Sequence, residues 1–328
     1  MKRITLVIPE GYSNLTTMAC LVGSYEILTI ANEIWQARGN KQLFWVSIAG
    51  VSTNQEINNG MFAVKPDILI RDLTFSDVII VPSINKAKID FISENRTLLD
   101  WLAIQYKQGS EIASMCTGAF ILAASGILDG KTCATHWSLA ETFRARYPQI
   151  NLLEDKLITD ENGIYTNGGA YSFLNLLLYL IEKFYDRQLA LQCAKIFQID
   201  ISRQAQSEFI IFSNQKSHND DVVKDAQEFI ENNVGEKISV DTICETFSVA
   251  RRNFDRRFLK ATGNTPLEYI QRVKIEAAKR NLELSRKTIN EIMYEVGYSD
   301  TKAFREVFRK FTGLSPNDYK RKYSLEVV

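Results

Sequence analysis

The sequence has few of the residues from which metal sites and disulfide frameworks are built. Its 328 residues include only two histidines, His136 and His218, and five widely spaced cysteines with no C-x-x-C pair. An odd number of dispersed cysteines argues against a disulfide framework, and two distant histidines argue against a zinc site. We therefore expect reduced thiols, no metal ion and no cofactor.

The chain also lacks the long apolar stretch that a membrane-spanning helix needs. Its longest apolar runs, such as FLNLLLYLI at residues 173–181, fall short of the ~20 residues that cross a bilayer. The opening MKRITLVIPEG has only a five-residue apolar run before Glu10, which fits a first strand better than a signal peptide. The sequence thus predicts a cytoplasmic protein with no membrane segment.

Charge of one sign is not in excess overall, but the two signs are unevenly distributed. Residues 248–328 contain 18 Lys and Arg against 10 Asp and Glu, whereas residues 1–247 contain 21 against 29. A basic C-terminal end favours a polyanion such as DNA as a partner. A run of charge alone is equally typical of a solvated surface, so the argument needs a motif.

The first part of the chain alternates short apolar runs with helical patterns. ITLVIP, LFWVSIAG, DVIIVPS and EIASM have the continuous apolar character of strands buried on both faces, and helical patterns lie near 21–37, 96–107 and from about 117. This alternation predicts an α/β sandwich with a mostly parallel sheet, closed by one or two helices within 179–198. The polar stretch 201–221 predicts a linker, so the expected domains are 1–200 and 222–328.

From residue 222 onward the pattern is helical only, and it repeats. NFDRRFLKATGNTPLEYI at 253–270 is matched at an offset of 50 by AFREVFRKFTGLSPNDYK, and a shorter apolar helix precedes each copy at an offset of 49. The shared Phe, Thr-Gly and Pro positions predict a helix with a buried aromatic face, a glycine end and a following helix that begins at proline. One extra residue is expected in the turn of the second copy.

The unshared residues on the exposed face of each second helix are the candidates for contacting DNA. A short helix, a tight turn and a second helix with long donors form a helix-turn-helix, and two copies would reach successive major grooves ~34 Å apart. Arg252 and Arg256 are predicted to read guanine edges, and Arg251, Arg257 and Lys260 to contact phosphates. The predicted DNA-binding set is Arg251, Arg252, Arg256, Lys260, Thr301, Lys302, Arg305 and Arg309. An all-helical interaction domain with a basic surface is the alternative.

EIASMCTGAFILAASGILDGKTCATHW, at 111–137, is a second stretch with chemical character. A strand that runs into Cys116 and then small residues predicts a sharp turn, which presents the thiol at a helix N-terminus where thiolates and anions are favoured. His136 is a candidate neighbour, and two glycines before a later helix would let a ligand approach the backbone in the same crevice. The predicted ligand-binding set is Cys116, Thr117, Gly118, His136, Gly168 and Gly169. The remaining Cys133, Cys193 and Cys244 are expected to be small core residues.

Both motifs resemble known families. Residues 222–323, including GYSDTKAFREVFRKFTGLSPNDYK, resemble the DNA-binding domain of AraC/XylS-type transcription regulators. Residues 3–190 resemble the ThiJ/PfpI superfamily, a flavodoxin-like α/β sandwich of the class I glutamine amidotransferase type, with Cys116 and His136 at the family's cysteine and histidine. The pair resembles the GlxA-like subgroup of AraC regulators. This resemblance implies a transcription regulator that binds double-stranded DNA sequence-specifically. Its N-terminal domain is expected to bind a small effector, and the protein is expected to be a homodimer.

The chain departs from each family at one position. In superfamily enzymes a carboxylate early in the first helix bonds to the cysteine of the strand-to-helix turn, which we call the elbow. In this chain Cys20 aligns at the carboxylate position, and Glu26 lies almost two turns further along. The missing acid implies a domain that is not an enzyme, although catalysis, ligand binding and a merely structural turn all remain open for the elbow. In the second reading helix, Glu306 stands where relatives commonly carry a donor, so that unit is expected to read cytosine amino groups or to add little specificity.

Two other functions remain as alternatives to a ligand-sensing regulator. One is a cysteine-dependent amidase, hydratase or glyoxalase-like enzyme that carries a DNA-binding module. The other is an architectural DNA binder in which the first domain serves only to dimerise. Reactivity of Cys116 discriminates the first alternative, because catalysis requires an activated thiolate.

Overall fold

The computed structural model describes residues 1–58, 60–203, 205–212, 215–216 and 218–324. Contacts divide the chain into two compact units, Met1–Gln206 and Ser207–Val328. Within the predicted linker, residues 204, 213, 214 and 217 lie outside the described residues, as do residues 325–328 of the predicted second domain. None of the helices in the described ranges combines the length and apolar character needed to traverse a membrane.

The first unit is built on a central sheet. The strands are β1 Lys2–Ile8, β2 Phe44–Gly50, β3 Gln55–Ile57, β4 Phe62–Val64, β5 Ile68–Leu69, β6 Val78–Val81, β7 Glu111–Met115, β8 Thr132–Cys133, β9 Asn151–Leu152, β10 Ile158–Glu161 and β11 Ile164–Asn167. Seven of them form one sheet in the order β10-β11-β7-β6-β1-β2-β5. Its neighbouring strands are parallel except β10 and β11, which confirms the predicted mostly parallel sheet.

Helices cover both faces of this sheet, as expected for an α/β sandwich. They are α1 Leu15–Ala37, α2 Arg96–Lys107, α3 Ala119–Ala124, α4 Ala140–Arg146, α5 Phe173–Phe184 and α6 Arg187–Ile196. One apolar core joins α1, α5 and α6 to one face of the sheet, and a second joins α2, α3 and α4 to the other. Each central strand serves both cores, because alternate residues of β1 point to opposite faces. The α/β fold is therefore confirmed.

Two helix boundaries differ from those that the apolar pattern predicts. α1 begins at Leu15 rather than near residue 21, because Asn14 caps it: Asn14 Oδ1 accepts from the Thr17 N–H at 3.0 Å and Thr17 Oγ1 accepts from the Asn14 N–H at 2.9 Å. The closing helices begin at Phe173 rather than near 179, because the apolar run that starts there is buried along α5. Capping and burial, more than apolar period, fix where these helices begin.

The second unit is helical in its described residues and contains the repeat. Its helices are α7 Asp221–Asn232, α8 Val240–Thr246, α9 Arg251–Thr262, α10 Pro266–Leu284, α11 Ile289–Glu295, α12 Thr301–Thr312 and α13 Pro316–Tyr323. α9 and α12 have the same length at the predicted offset, and the turn after α11 has one residue more than the turn after α8. The predicted pair of helix-turn-helix units is thus present, and α10 connects them.

The residues shared by the two copies have the structural roles predicted for them. The four repeated phenylalanines are fully buried, both Thr-Gly steps end a helix in the left-handed region at φ of 70° and 75°, and both prolines begin the next helix. The shared threonines add a bond that the sequence does not show. Thr262 Oγ1 donates to the Phe258 carbonyl at 2.9 Å, and Thr312 Oγ1 donates to the Phe308 carbonyl at 2.8 Å.

Candidate functional site: the cysteine elbow and the helix-turn-helix surface

Cys116 lies at a strained turn directly after β7. Its φ is 54°, in the left-handed region that few residues other than glycine adopt, and its side chain is buried. The strain is held from outside the turn: the Cys116 N–H donates to Asn167 Oδ1 at 3.1 Å, and the Cys116 carbonyl accepts from Thr135 Oγ1 at 2.9 Å. The sequence prediction of a sharp strand-to-helix turn at this cysteine agrees with this geometry.

Thr117 and Gly118 serve the packing of the turn. Thr117 Oγ1 donates to the Ile84 carbonyl at 2.8 Å and lies 2.8 Å from the Ser83 hydroxyl. A Cβ on Gly118 would lie 2.7 Å from the Pro82 carbonyl oxygen, so only glycine allows the elbow to approach the end of β6 this closely. Both residues therefore shape the elbow from inside.

The Cys116 thiol is uncharged near neutral pH. Burial raises its pKa, against the opposing effects of the Ser83 hydroxyl, the Thr117 N–H and the charge of Lys86. Cys20 on α1 faces the same region: burial raises its pKa to about 12, the Ser83 main chain opposes that shift and Cys116 reinforces it. In the part of the chain that the structure describes, the elbow thus combines two neutral thiols with no carboxylate hydrogen-bonded to either. Glu26, the alternative acid, is exposed on α1 and lines a different, outward-facing groove.

His136 is neutral as well, and the structure does not pair it with the thiol. Burial, with help from the charge of Lys86, lowers its pKa to about 4. Its Nδ1 accepts from the Ser138 N–H at 3.2 Å, and Lys86 Nζ donates to Ser138 Oγ at 3.0 Å. Among the described residues no hydrogen bond joins His136 to Cys116. A thiol above its usual pKa and an imidazole below it cannot form a thiolate–imidazolium pair near pH 7.

Gly168 and Gly169 lie next to the elbow but do not open a crevice there. Asn167, which holds Cys116, also donates to the carbonyls of Gly168 and Gly169 at 3.1 and 3.3 Å. A Cβ on Gly168 would lie 2.0 Å from Gln206 Nε2, which itself donates to the Thr135 carbonyl at 2.9 Å. The space next to Gly168 is therefore occupied by a side chain of the protein itself.

Sequence reasoning missed the residues that hold the elbow together. They are Ser83, Lys86, Thr135, Asn167 and Gln206. Two of them carried a signal: Asn167 directly precedes the paired glycines, and Ser83 follows the apolar run of β6, at the strand end where α/β sheets place their sites. The other three reach the elbow through contacts that no local pattern encodes.

The first reading helix, α9, presents arginines in different states. Arg252 and Arg256 are exposed and one turn apart, and Arg256 Nη2 donates to Asn253 Oδ1 at 3.2 Å. Arg251 is bound by two carboxylates, Asp241 at 2.6 Å and Asp255 at 3.0 Å. Arg252 forms no ion pair with another described residue, so its guanidinium can bond to DNA without first breaking one.

Two further basic residues of α9 were predicted to contact phosphates. Arg257 is engaged by Asp220, with Nε and Nη2 at 2.8 and 2.5 Å from the two carboxylate oxygens. Lys260 is exposed in the last turn of α9 and lines a polar concavity of about 880 Å³ together with Arg256 and Asp220. Lys260 keeps its charge available there, whereas the Arg257 guanidinium is already occupied.

The second reading helix, α12, also exposes two arginines, but at the positions equivalent to Arg252 and Arg256 it carries Lys302 and Glu306. Arg305 and Arg309 are exposed, one turn apart, and within the described ranges neither forms an ion pair. Lys302 is exposed and lies 4.0 Å from Glu306, while Thr301 is the first residue of the helix. Asp300 caps α12 by accepting from two main-chain N–H groups. Each of the two arginines directly follows a buried phenylalanine, Phe304 or Phe308, and so lies about 100° around the helix from it.

Comparison with known proteins places both units in families. The family described as a helix-turn-helix domain matches residues 243–322, and the DJ-1/PfpI family matches residues 24–183. A solved structure of a ThiJ/PfpI family protein from Pseudomonas syringae has a TM-score of 0.50 at 17% identity, over 61% of this chain and 75% of that chain. At that identity the likeness concerns the fold alone.

The curated relatives that match at the sequence level include two regulators and one enzyme. The HTH-type transcriptional regulator GbdR of Pseudomonas aeruginosa is 24% identical over 227 residues, which is 69% of this chain and 62% of GbdR. The match thus spans less than two thirds of that relative. Isonitrile hydratase of Pseudomonas putida is 26% identical over 165 residues, 50% of this chain and 65% of the enzyme.

The third relative is the most similar of the three in identity. It is an uncharacterized HTH-type transcriptional regulator in the cgkA 5′ region of Pseudoalteromonas carrageenovora, 34% identical over 131 residues, 40% of this chain and 75% of the relative. The resemblance drawn from the sequence motifs is thereby confirmed. With a DJ-1/PfpI domain and an AraC-type helix-turn-helix domain, this chain belongs to the family of HTH-type transcriptional regulators.

Proposed function

We propose that the protein is a cytoplasmic transcription regulator that binds double-stranded DNA sequence-specifically through α9 and α12. The observation that carries this proposal is the paired exposure of arginines: Arg252 and Arg256 on α9, Arg305 and Arg309 on α12. The two arginines of each pair lie one turn apart and are exposed, and an arginine fork discriminates guanine by ~1–3 kcal/mol. Thr301, Lys302, Lys260 and Arg251 complete the proposed contact set, with Arg251 released from its carboxylates on binding.

Selection from a random oligonucleotide pool tests this function. The full chain is expected to enrich one sequence with two half-sites at moderate salt. Arg252→Ala and Arg256→Ala are expected to relax the choice of base at one half-site, while Lys260→Ala weakens binding to all sequences and reduces the salt slope by about 1. Equal losses on selected and random duplexes for all three variants would remove the base-reading assignment.

We further propose that the N-terminal unit, Met1–Gln206, binds a small effector at the elbow without catalysis. The effector site comprises Cys116, Thr117, Gly118, His136, Gly168 and Gly169. Within this set Cys116 and His136 offer functional groups, Thr117 and Gly118 shape the turn, and Gly168 and Gly169 border it, with Gln206 next to Gly168. Lys86, which influences the pKa of both Cys116 and His136, is a further candidate contact. A metabolite screen that raises the melting temperature of the full chain and shifts its affinity for the selected DNA would support this assignment.

The alternative is a cysteine-dependent hydratase-like activity, which the similarity to isonitrile hydratase favours. Three features argue against this activity: the thiol is neutral, the neutral histidine does not bond to it, and Cys20 stands at the position expected for the acid. Turnover of an isonitrile, a nitrile-type or a carbonyl substrate by the wild-type chain, lost in Cys116→Ala, would establish the enzyme instead.

The proposed regulator is a homodimer that pairs through the outward face of α1. Met18, Val22 and Tyr25, with Ile48 and Val64, line an apolar groove of about 420 Å³. Met61 and Phe62, at the end of the hairpin that contributes Val64, are both exposed. An apolar groove with exposed apolar side chains near it is the kind of surface that a second copy can cover, which supports an isologous interface here.

A further inference from the structure

Lys274 lies on α10 at the seam between the cores of the two helix-turn-helix units. Tyr269 and Ile270, just before it, belong to the core of the first helix-turn-helix unit. Ile275 and Ala278, just after it, belong to the core of the second helix-turn-helix unit. Lys274 itself is only 6% exposed. A lysine buried at this depth needs partners for its charge, because an unpaired ammonium is costly to remove from water.

The hydrogen-bond partners of Lys274 come from both helix-turn-helix units. Its Nζ donates to the carbonyls of Val234 at 2.7 Å, Glu236 at 2.8 Å and Val296 at 2.8 Å. Val234 and Glu236 lie in the loop that leads from α7 into α8, and Val296 ends α11. An ammonium has three N–H donors, so all of them are used and each unit receives at least one.

Two glycines make room for this arrangement. Gly297 has φ of 73°, and a Cβ there would lie 2.5 Å from Lys274 Nζ and 2.8 Å from the carbonyl oxygens of Gly235 and Glu236. A Cβ on Gly235 would lie 3.0 Å from the Glu295 carbonyl oxygen. The loop before α8 and the chain after α11 therefore approach each other closely around the ammonium.

The surroundings of the Lys274 ammonium lower its pKa and make the three carbonyls depend on it as their donor. Burial lowers the Lys274 pKa to about 8, opposed by the negative charge of Glu236, and the Tyr298 ring centroid lies 5.9 Å from Nζ. Removing the ammonium leaves three carbonyls from two units without their shared donor. An apolar side chain of similar length fills the space but supplies no bond to either unit.

We propose that Lys274 is a positioning residue that fixes the distance and angle between the two helix-turn-helix units, and through them the half-site spacing that the protein accepts in DNA. Two reading helices must enter grooves ~34 Å apart, so a rotation at the seam misplaces one of them. The statement about DNA spacing rests on the proposed function. The statement about the geometry of the two units does not.

A distance measurement between the units tests the geometry in the full chain. Nitroxides at Leu259→Cys on α9 and Tyr294→Cys on α11 report it, because both positions are exposed and all five native cysteines are buried. With Lys274 present, double electron–electron resonance is expected to give one narrow distance. Lys274→Met is expected to broaden or shift it.

A matched control and a second variant make the outcome decisive. Lys279, also on α10 and 5% exposed, donates to the Ile210 carbonyl and to Glu276 rather than to the three carbonyls that Lys274 holds, so Lys279→Met is expected to keep the narrow distance. Gly297→Ala keeps the lysine but crowds its Nζ and is expected to broaden the distance. Unchanged distributions in Gly297→Ala and in a folded Lys274→Met would overturn the proposal, and Gly297→Ala decides if Lys274→Met does not fold.

Binding measurements test the consequence for DNA. On the duplex that wild type selects, Lys274→Met is expected to lose about tenfold in affinity, because two linked modules gain from correct spacing, while a single half-site binds unchanged. Its preference for the native spacing over one base pair more or less is expected to fall. An equal loss on both duplexes with spacing preference intact would contradict the DNA claim. If wild type selects no sequence, the proposed function fails, and the distance measurement still decides the geometry.

Discussion

The guanidinium of Arg257 holds the carboxylate of Asp220 with two hydrogen bonds, from Nε at 2.8 Å and from Nη2 at 2.5 Å. Asp220 is also the N-cap of α7, where it accepts from the Val223 N–H. The pair thus ties α9 to the first turn of α7. Arg256, one residue earlier, is exposed and donates a hydrogen bond to Asn253. Of two neighbouring arginines on one helix, one is thus held by a carboxylate and the other is exposed, as a residue proposed to contact DNA should be.

Substitution of these two arginines is expected to separate stability from sequence choice. Arg257→Ala should lower the free energy of unfolding by about 1 kcal/mol, since a partly exposed ion pair contributes about that much, and leave the preferred DNA sequence unchanged. Arg256→Ala should leave stability within ~0.5 kcal/mol and relax base choice. Urea denaturation and oligonucleotide selection measure the two effects. A variant of Arg257 with normal stability and altered base choice would reverse the assignment.

The Asp220 pair also predicts a dependence on acid. The hydrogen bonds from Arg257 lower the pKa of Asp220, so the contribution of the pair is fully present above the unfolded pKa of about 4 and is lost as the pH falls through the lower folded value. The stability difference between wild type and Arg257→Ala should therefore shrink below about pH 4. A difference that stays constant into strong acid would show that the pair does not contribute.

The repeat illustrates what the sequence predicts well. Thr262-Gly263 and Thr312-Gly313 end their helices by local chemistry, a left-handed glycine and a threonine bond to the preceding turn, so the bounds of α9 and α12 follow from a few neighbouring residues. The parallel sheet is predictable for a similar reason, because strands buried on both faces are continuously apolar. Signals of this kind need no knowledge of residues far away in the chain.

The elbow illustrates what the sequence does not predict. Gly168 was expected to admit a ligand, but the neighbouring space holds Gln206, a residue from the stretch expected to be a linker. Asn167 bonds to the main chain of Cys116 across 51 positions of sequence. Lys274 likewise reaches carbonyls 22 to 40 positions away. Such contacts depend on how distant segments fold together, and no local pattern encodes them.

The Cys116 thiol is expected to react slowly with alkylating reagents. Because burial raises its pKa and shields the sulfur, iodoacetamide at pH 6 to 7 should modify it at least about tenfold more slowly than free cysteine, whose pKa is about 8.5. Peptide mass spectrometry resolves Cys116 from the other four cysteines. Rapid labelling near pH 6 would indicate an activated thiolate and would favour the enzyme alternative.

The outward face of α1 is expected to be the dimer interface. Tyr25→Asp and Val22→Asp each place a charge in the apolar groove, which should shift the full chain from dimer to monomer in light scattering after size-exclusion chromatography. Ile104→Asp is the matched control, because Ile104 is similarly exposed on α2 and lies outside the groove. A dimer that survives both groove substitutions would place the interface elsewhere. A wild-type monomer would remove the homodimer from the proposed function.

The buried ammonium of Lys274 predicts an unusual response to alkaline pH. Its folded pKa of about 8 lies below the ordinary value of 10.5, so between these values the unfolded chain binds the proton more strongly than the folded one. Stability linked to this group therefore rises with pH across the window, and it is lowest below pH 8 where both states are protonated. Methionine at this position does not titrate. Tyr298, whose ring faces Nζ, has its pKa raised to about 12 by burial and stays neutral there.

The comparison that checks this uses urea denaturation of wild type and Lys274→Met at pH 7.5 and at pH 9.5, two values on either side of the folded pKa of about 8. The difference in unfolding free energy should move in favour of wild type at the higher pH. Lys279→Met provides the control for loss of a buried lysine from the same helix. A difference that stays flat or moves against wild type would mean that Lys274 is solvated in solution, and the three carbonyls around it would then have to be satisfied by water rather than by the ammonium.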